Sequence, residues 1–290
     1  MPQPDPPPRR ARAEPREVGE LKELRATQPE LASAIDMQLA LVDVQRRVQA
    51  RVPLPWIQPD PVWLASQQAA GRPAVRFGDI PLDWTDFRLT FRQTVDVLHR
   101  FGAVETVEQQ QLQALARDGH ALEPIVTAWY LNTSGVEESK PPPPPAVEAL
   151  PHLDQVLALA IRPFLARSVE ALGQRPELTS WRHGYCPFCG WEPDFSVIMP
   201  SAERRLICGR CAAQWGFESL TCPFCANADR TRITSFATRD GRYRVYGCDA
   251  CKRYLKAYDA RHTTRPVMIA VDTIATLPLD AAAIQRGYRG

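Results

Sequence analysis

Apolar residues recur every three or four positions through much of the first 175 residues, which is the spacing of an amphipathic α-helix. In the stretch 29–51, which Pro29 can open, the apolar face consists of Leu31, Ile35, Leu39 and Val42. In the stretch 83–100, with Asp83 as a candidate N-cap, it consists of Phe87, Phe91, Val95 and Leu98. Such faces can line a ligand pocket, but packing in a helical core is their usual role.

Further helices are predicted at about 62–70, 104–117, 122–132 and 153–172. Pro163 lies inside the last stretch and is expected either to kink that helix or to split it, because proline lacks the backbone N–H. Gly173 and Pro176 then close it. Helices should therefore dominate the chain as far as about residue 175.

The pattern changes completely after Trp181, where all eight cysteines fall within residues 186–251 and form four Cys-x-x-Cys pairs. The pairs are Cys186/Cys189, Cys208/Cys211, Cys222/Cys225 and Cys248/Cys251. A two-residue gap lets both sulfurs of a tight turn bind one tetrahedral ion, and two such turns supply four thiolates. Only 10 residues separate the second pair from the third, against 18 and 22 within the outer intervals. This spacing predicts two sequential metal modules, each a pair of turns joined by a short β-hairpin.

The turns themselves carry a second signal. Gly190 follows the first Cys-Pro-Phe-Cys and can take the positive φ that turns backbone N–H groups toward the sulfurs. The second Cys-Pro-Phe-Cys is followed by Ala226. His183 lies near the first turn, but eight thiolates already complete two sites, so we expect it outside the ligand set.

The predicted fold class is therefore α+β, with an all-helical N-terminal domain followed by two small β-rich modules of rubredoxin-like or zinc-ribbon type. Residues 134–146, with five prolines at 141–145, predict a polyproline linker or loop, more often a spacer than a docking site for an SH3-like domain. The expected organisation is a disordered tail (1–15), an α-helical domain (16–178, including the loop 134–146), a first metal module (181–219), a second metal module (220–265) and a C-terminal strand or helix segment (266–290).

Other uses of the cysteines are less economical. Disulfides need an oxidising compartment, yet the first residues are rich in proline and arginine and show no apolar signal segment, so we expect a cytoplasmic protein without a membrane span. A redox dithiol normally uses one pair beside a βαβ pattern. Zinc and iron both suit four sulfurs, and the ligands leave this choice open. Either ion would be saturated, and the sequence has no catalytic signature motif, so we predict no enzyme and no small-molecule substrate.

Overall charge is small, at a formal +2, but basic and aromatic residues crowd the second module. The basic ones are Arg230, Arg232, Arg239, Arg242, Arg244, Lys252, Arg253 and Lys256. The interleaved aromatic ones are Tyr243, Tyr246, Tyr254 and Tyr258. On alternating strands they would form a face for phosphates or for an acidic protein, and nucleic acid is the less favoured partner.

Four motifs occur in an order that resembles the formate dehydrogenase accessory protein family, FdhE. They are Tyr-Cys-Pro-Phe-Cys-Gly-Trp-Glu-Pro (185–193), Arg-Arg-Leu-Ile-Cys-Gly-Arg-Cys-Ala-Ala-Gln-Trp (204–215), Cys-Pro-Phe-Cys (222–225) and Cys-Asp-Ala-Cys-Lys-Arg-Tyr-Leu-Lys (248–256). Segments 81–84, 162–167, 272–280 and 287–289 look like other parts of that family. The resemblance covers about residues 16–289.

The resemblance implies a cytoplasmic maturation factor, or chaperone, that binds the catalytic subunit of formate dehydrogenase during assembly. It implies the eight cysteines as ligands of two metal ions, usually iron in the family, with zinc chemically open. On this interpretation the metal-bound hairpins would present Trp191, Trp215, Tyr246 and Arg253 to the partner. A rubredoxin-like electron carrier is the second hypothesis, and a zinc-ribbon protein that binds nucleic acid is the third.

Overall fold

The structure is a computed structural model of the 290-residue chain and describes residues 14–133, 150–173, 178, 180–263 and 265–290. The predicted polyproline segment 134–146 and nearly all of the predicted tail lie outside these residues. Within them, helices occupy the part before the cysteines, strands the cysteine region, and two short helices follow. In the described part, no helix combines the length and apolar character needed to cross a membrane.

Seven α-helices precede the first cysteine within the described residues. They are α1 (Arg16–Thr27), α2 (Ala32–Gln49), α3 (Pro61–Ala69), α4 (Trp84–Arg100), α5 (Thr106–Arg117), α6 (Gly119–Thr133) and α7 (Leu153–Leu172). The last two helices of the chain are α8 (Ile269–Ala275) and α9 (Leu277–Gln285).

Helix α4 confirms its prediction closely. The Asp83 side chain accepts a hydrogen bond from the backbone N–H of Asp86, as an N-cap should. Its predicted apolar face is completely buried, at Phe87, Phe91, Val95 and Leu98. On α2 the predicted face packs as well, although Leu39 is only partly buried.

Helix α7 remains continuous through Pro163, so that proline does not split it. Proline cannot donate to the carbonyl four residues earlier, which belongs to Leu159. The side-chain amide of Gln45 donates to that carbonyl over 3.1 Å. A neighbouring helix thus satisfies the acceptor that the proline leaves unused.

One six-stranded sheet contains both cysteine modules, in the order β3-β2-β1-β6-β5-β4. The strands are β1 (Pro193–Ile198), β2 (Arg204–Cys208), β3 (Gln214–Phe217), β4 (Ile233–Ala237), β5 (Tyr243–Cys248) and β6 (Tyr254–Asp259). The predicted hairpins are confirmed, as β1/β2 and β4/β5. A parallel pairing of β1 with β6, in which Phe195 lies opposite Lys256, joins the two halves into a single sheet.

The largest apolar core, which we call the main core, extends from the helices into the first cysteine module. It contains Phe87, Trp129 and Phe164 from the helices together with Leu206 and Trp215 from the sheet. Two backbone hydrogen bonds of 2.8 Å tie the loop before α4 to the first cysteine turn, from Ala74 to Pro187 and from Val75 to Phe188. The helices and the first module therefore share one core.

The end of the chain returns to both halves of the molecule. Val271 and Ile274 on α8 pack in one cluster with Leu21 of α1 and Ile35 of α2. Beyond α9, the ring of Tyr288 lies against Gly247 of β5 so closely that a Cβ at this glycine would come within 2.6 Å of it.

Candidate metal centre

All four Cys-x-x-Cys turns have the same backbone geometry. In each, the carbonyl of the first cysteine accepts a hydrogen bond of 2.8–3.1 Å from the N–H four residues later. These N–H groups belong to Gly190, Ala212, Ala226 and Lys252, which all have a positive φ of 57–73°. The conformation expected for Gly190 is confirmed. The three other residues take it at a cost of about 1–2 kcal/mol each, because their Cβ atoms crowd the backbone there.

The first cysteine of each turn also donates its N–H to the carbonyl five residues later, which closes the turn at both ends. The acceptors are the carbonyls of Trp191, Ala213, Asn227 and Arg253. Inside the turns of the first module, the N–H groups of Phe188, Arg210 and Cys211 lie 3.4 Å from a cysteine sulfur. Hydrogen bonds of this kind favour the thiolate form of cysteine.

The first module brings Cys186, Cys189, Cys208 and Cys211 together, a set we call the first tetrad. Sulfur atoms are 3.6 Å apart between Cys186 and Cys211, and 3.4 Å apart between Cys189 and Cys208. A tetrahedral ion bound at about 2.3 Å would hold its sulfurs about 3.8 Å apart. The first tetrad therefore has the donor set and nearly the spacing for one such ion.

The second tetrad consists of Cys222, Cys225, Cys248 and Cys251. Its sulfur atoms are 3.7 Å apart both between Cys222 and Cys251 and between Cys225 and Cys248. The pairs combine in sequence order, first with second and third with fourth, as the spacing predicted. All eight cysteines are described, and none of them forms a disulfide.

Burial distinguishes the two tetrads. Every cysteine of the first is at most 2% exposed and belongs to the main core. In the second, Cys222 and Cys248 are buried, but Cys225 is exposed and Cys251 is half-buried. The first group is sealed from solvent, whereas the second presents sulfur to it.

Burial raises the pKa of the Cys186 and Cys211 thiols well above the ordinary value, and that of Cys222 as well. Such thiols keep their protons at neutral pH when they are not ligands. A metal ion that binds there has to displace protons, so its affinity falls as the pH falls. Both tetrads could hold a metal ion, and the donor atoms do not determine which one.

His183 lies outside both tetrads, as expected. Its ring is exposed and stacks on Tyr185 with centroids 5.0 Å apart, and it meets Trp181 edge-on. The carbonyl of His183 accepts a hydrogen bond of 3.2 Å from the indole N–H of Trp215. His183 thus packs beside the first turn and is not part of either group of cysteines that could bind a metal ion.

The expected basic and aromatic face on the second module does not form as predicted. Tyr243, Tyr254 and Tyr258 are buried. Most of the basic side chains meet carboxylates instead: Arg244 meets Asp259, Arg253 meets Glu192, Lys252 meets Asp249, Arg242 meets Asp240 and the buried Lys256 meets Asp280. Pairing within the fold thus neutralises five of the eight charges that a phosphate-binding face would use.

Two of the residues expected to face a partner are also placed differently. Trp215 is only 5% exposed and belongs to the main core. Trp191 is partly buried and packs against Trp129 of α6, with ring centroids 5.8 Å apart. Both tryptophans therefore join the first module to the helices, because large aromatic side chains supply the most apolar surface there.

Sequence reasoning missed two buried arginines, Arg204 and Arg210, which lie close to the cysteines. One signal was present: Arg210 stands inside the pair Cys208-Gly-Arg-Cys211, where a charge is forced close to two sulfurs. Arg162 of α7 donates to the carbonyl of Gly209 in the same turn.

Together, the fold and the cysteines define a class: an α+β protein with a helical N-terminal region and two zinc-ribbon-like four-cysteine modules. The family resemblance found in the sequence is confirmed by comparison with known proteins, which supports the FdhE family for this chain. No protein-family model matches it.

The sequence relatives carry the FdhE name. The "Protein FdhE homolog" of Aquifex aeolicus is 23% identical over 231 residues, which is 78% of this chain and 74% of that protein. The homolog of Stutzerimonas stutzeri is 28% identical over 56% of this chain and 51% of its own length. "Protein FdhE" of Escherichia coli is 29% identical over 107 residues, covering 36% of this chain and 34% of that protein.

A solved structure shares the fold. The crystal structure of the FdhE protein from Pseudomonas aeruginosa superimposes with a TM-score of 0.64 and covers 94% of this chain and 91% of its own. Sequence identity over that match is 20%, so the likeness concerns the fold alone.

Proposed function

We propose that this chain is an accessory factor for formate dehydrogenase that binds the catalytic subunit of that enzyme in the cytoplasm during assembly. The proposal rests on a relative named as an FdhE homolog that matches 78% of the chain, together with the ordered cysteine motifs. It gives the chain no catalytic activity of its own. Four sulfurs around an ion leave no open position for substrate or water.

The eight cysteines are, in this proposal, the ligands of two metal ions, Cys186, Cys189, Cys208 and Cys211 for one and Cys222, Cys225, Cys248 and Cys251 for the other. Iron is the ion that the family resemblance implies, and zinc fits the same four sulfurs. The bound ion supplies a cross-link between two turns and, with it, folding free energy of order 10 kcal/mol.

The core that the first tetrad shares with the helices supports a structural role for the first metal site. An ion in this tetrad would stabilise the packing of α6 and α7 on the sheet as well as the module itself. Metal loading would then determine whether the surface that meets the partner is formed at all. This is the behaviour expected of a structural site in a binding protein.

One observation favours a second candidate, a rubredoxin-like electron carrier. Electron exchange with a partner is faster when a ligand sulfur is accessible, and Cys225 is exposed. This function needs iron with a reversible one-electron potential. Zinc in both sites, or iron that does not cycle, would exclude it.

The test is capture of the catalytic subunit by the tagged full-length chain, combined with formate dehydrogenase activity in the same cells. Replacing Cys222 and Cys225 by serine should abolish both. Ser235→Ala, on the exposed side of strand β4, serves as the control and should leave both unchanged. Full activity in the double cysteine variant would contradict the proposal, and so would failure of the unaltered chain to capture the subunit.

A further inference from the structure

Arg210 is completely buried in the turn between Cys208 and Cys211. Its guanidinium carbon lies 3.8 Å from the ring centroid of Trp191, 4.4 Å from that of Trp129 and 5.2 Å from that of Tyr130. One N–H group donates to the hydroxyl of Thr133 at the end of α6. A charged side chain of the first module is thus held in an aromatic cage built mostly by a helix.

The aromatic cage does not neutralise the positive charge of Arg210. Among the described residues, Nε and Nη1 of Arg210 have no hydrogen-bond partner, although both atoms are buried. Arg210 stands two residues after Cys208 and directly before Cys211, and its own N–H lies 3.4 Å from the Cys208 sulfur. Burying an uncompensated charge is strongly destabilising. The anionic sulfurs of a metal-bound first tetrad would compensate the charge of Arg210.

Arg204, near the second tetrad, is also a buried arginine with an aromatic neighbour and, within the described part of the chain, an unpartnered nitrogen. It is 5% exposed, donates to the carbonyl of Thr221 over 3.0 Å, and lies 5.4 Å from the ring centroid of Tyr246. Its buried Nε has no partner among the described residues. Arg204 lines one small cavity together with Cys222 and Cys248. Burial lowers the pKa of Arg204 to about 10, and Tyr246 and then Cys222 act against this effect.

A divalent ion with four thiolates carries a net charge of −2, so positive charge is needed near the ligands that are buried. These are all four cysteines of the first tetrad, and Cys222 and Cys248 of the second. We propose that Arg210 is the counter-charge of the first site and Arg204 that of the second, and that each site retains its ion through its arginine. The inference rests on the proposed metal sites and not on the identity of the partner protein.

The positions of the two arginines show which part of the molecule each site depends on. Both belong to the first module, since Arg204 opens strand β2 and Arg210 follows its end. Arg204 nevertheless faces the second tetrad, across the junction between the modules. The second site therefore depends on the first module for its counter-charge, whereas the first site depends on α6, which holds Arg210 in place.

The competing explanation is packing alone, because an arginine stem and its flat head group also fill apolar space. Substitution separates the two. Methionine keeps much of the volume and removes the charge, whereas lysine keeps the charge and loses the flat head group. Arg205→Met is the matched control, since Arg205 neighbours Arg204 but is half-buried and paired with Glu203.

The experiment measures release of zinc from the zinc-loaded full-length chain into excess chromogenic chelator, with metal content determined first. Arg204→Met should speed release from the second site by about tenfold or more, and Arg210→Met should do so at the first site. Arg204→Lys and Arg210→Lys should restore most of the retention. Arg205→Met should release zinc like the unaltered chain.

Methionine variants that release zinc at the unaltered rate would overturn the inference, and so would lysine variants that release it as fast as the methionine ones. If Arg210→Met does not fold, Arg204→Met decides the question, because the second tetrad lies outside the main core. A chain that never binds two ions would refute the metal sites themselves, which the initial metal determination reveals separately.

Discussion

The first tetrad lies inside the core that the sheet shares with the helices, whereas the second lies beyond it with one sulfur exposed, although both are built from turns of the same geometry. Ligand type and local backbone are therefore not what distinguishes the two groups. Their surroundings distinguish them, because α6 and α7 cover the first tetrad and solvent reaches the second. We therefore expect the first tetrad to contribute most to the stability of the fold and the second tetrad to react more readily with thiol reagents.

The largest expected difference concerns stability. Cys189→Ser should remove the ion from the first tetrad and leave buried polar groups in the main core, with a loss of about 5 kcal/mol or more in the free energy of unfolding. Cys225→Ser should cost clearly less and should leave the unfolding of the helices nearly unchanged. Thermal and denaturant unfolding followed by circular dichroism measures both. Equal losses would contradict the comparison.

Chemical access should separate the tetrads next. In the metal-loaded protein, a thiol-alkylating reagent should modify Cys225 first and then Cys251, because these two sulfurs are the accessible ones. Peptide mass spectrometry against time gives the order, and metal release should accompany the first modification. Labelling of Cys186 or Cys211 at a comparable rate would mean that the first tetrad opens readily.

Backbone strain offers a smaller and more local test. Ala212→Gly and Ala226→Gly both place glycine at a positive φ, and each should gain about 0.5–1 kcal/mol. At residue 212 the gain should appear in global unfolding. At residue 226 it should appear mainly as slower metal loss from the second tetrad, measured with the chelator. A gain in global unfolding at both positions would show that the second module unfolds together with the core.

The smallest effect should come from the contact between the modules. Glu192, which follows the first turn, accepts two hydrogen bonds of 2.8 Å from Arg253, and the Arg253 guanidinium lies 3.7 Å from the ring centroid of Phe224. The Glu192 side chain is more than half exposed, so Glu192→Gln should cost at most about 1 kcal/mol. Denaturant unfolding at low and high salt checks this, since a larger loss would mean that the pair is shielded from solvent.

Local signals predicted the parts of the molecule that local rules decide. The stripe on α4 with its cap at Asp83 follows from helix periodicity, and the grouping of the cysteine pairs follows from sequence spacing. The bounds of α6 were predicted too narrowly, because Gly119 and His120 carry no helical pattern of their own. Helix α1 has a weak apolar face with Leu21 as its one fully buried residue, so its packing depends on distant partners.

The remainder depended on contacts between distant parts of the chain. The parallel pairing of β1 with β6 joins residues about 60 positions apart, and nothing in either strand specifies that partner. Arg253 and Lys256 looked available for a ligand because their carboxylate partners, Glu192 and Asp280, lie far away in sequence. Arg210 could be flagged from its position between two cysteines, but its aromatic cage comes from α6.

The packing of α8 against α1 also has a consequence for synthesis on the ribosome. Leu21 shares its cluster with Val271 and Ile274, which emerge about 250 residues later. At about 5–20 residues per second, the first helix waits some tens of seconds for its last contacts. During that interval its apolar face is incompletely covered. Helix α1, made before the other described helices, is thus among the last of them to reach its final packing.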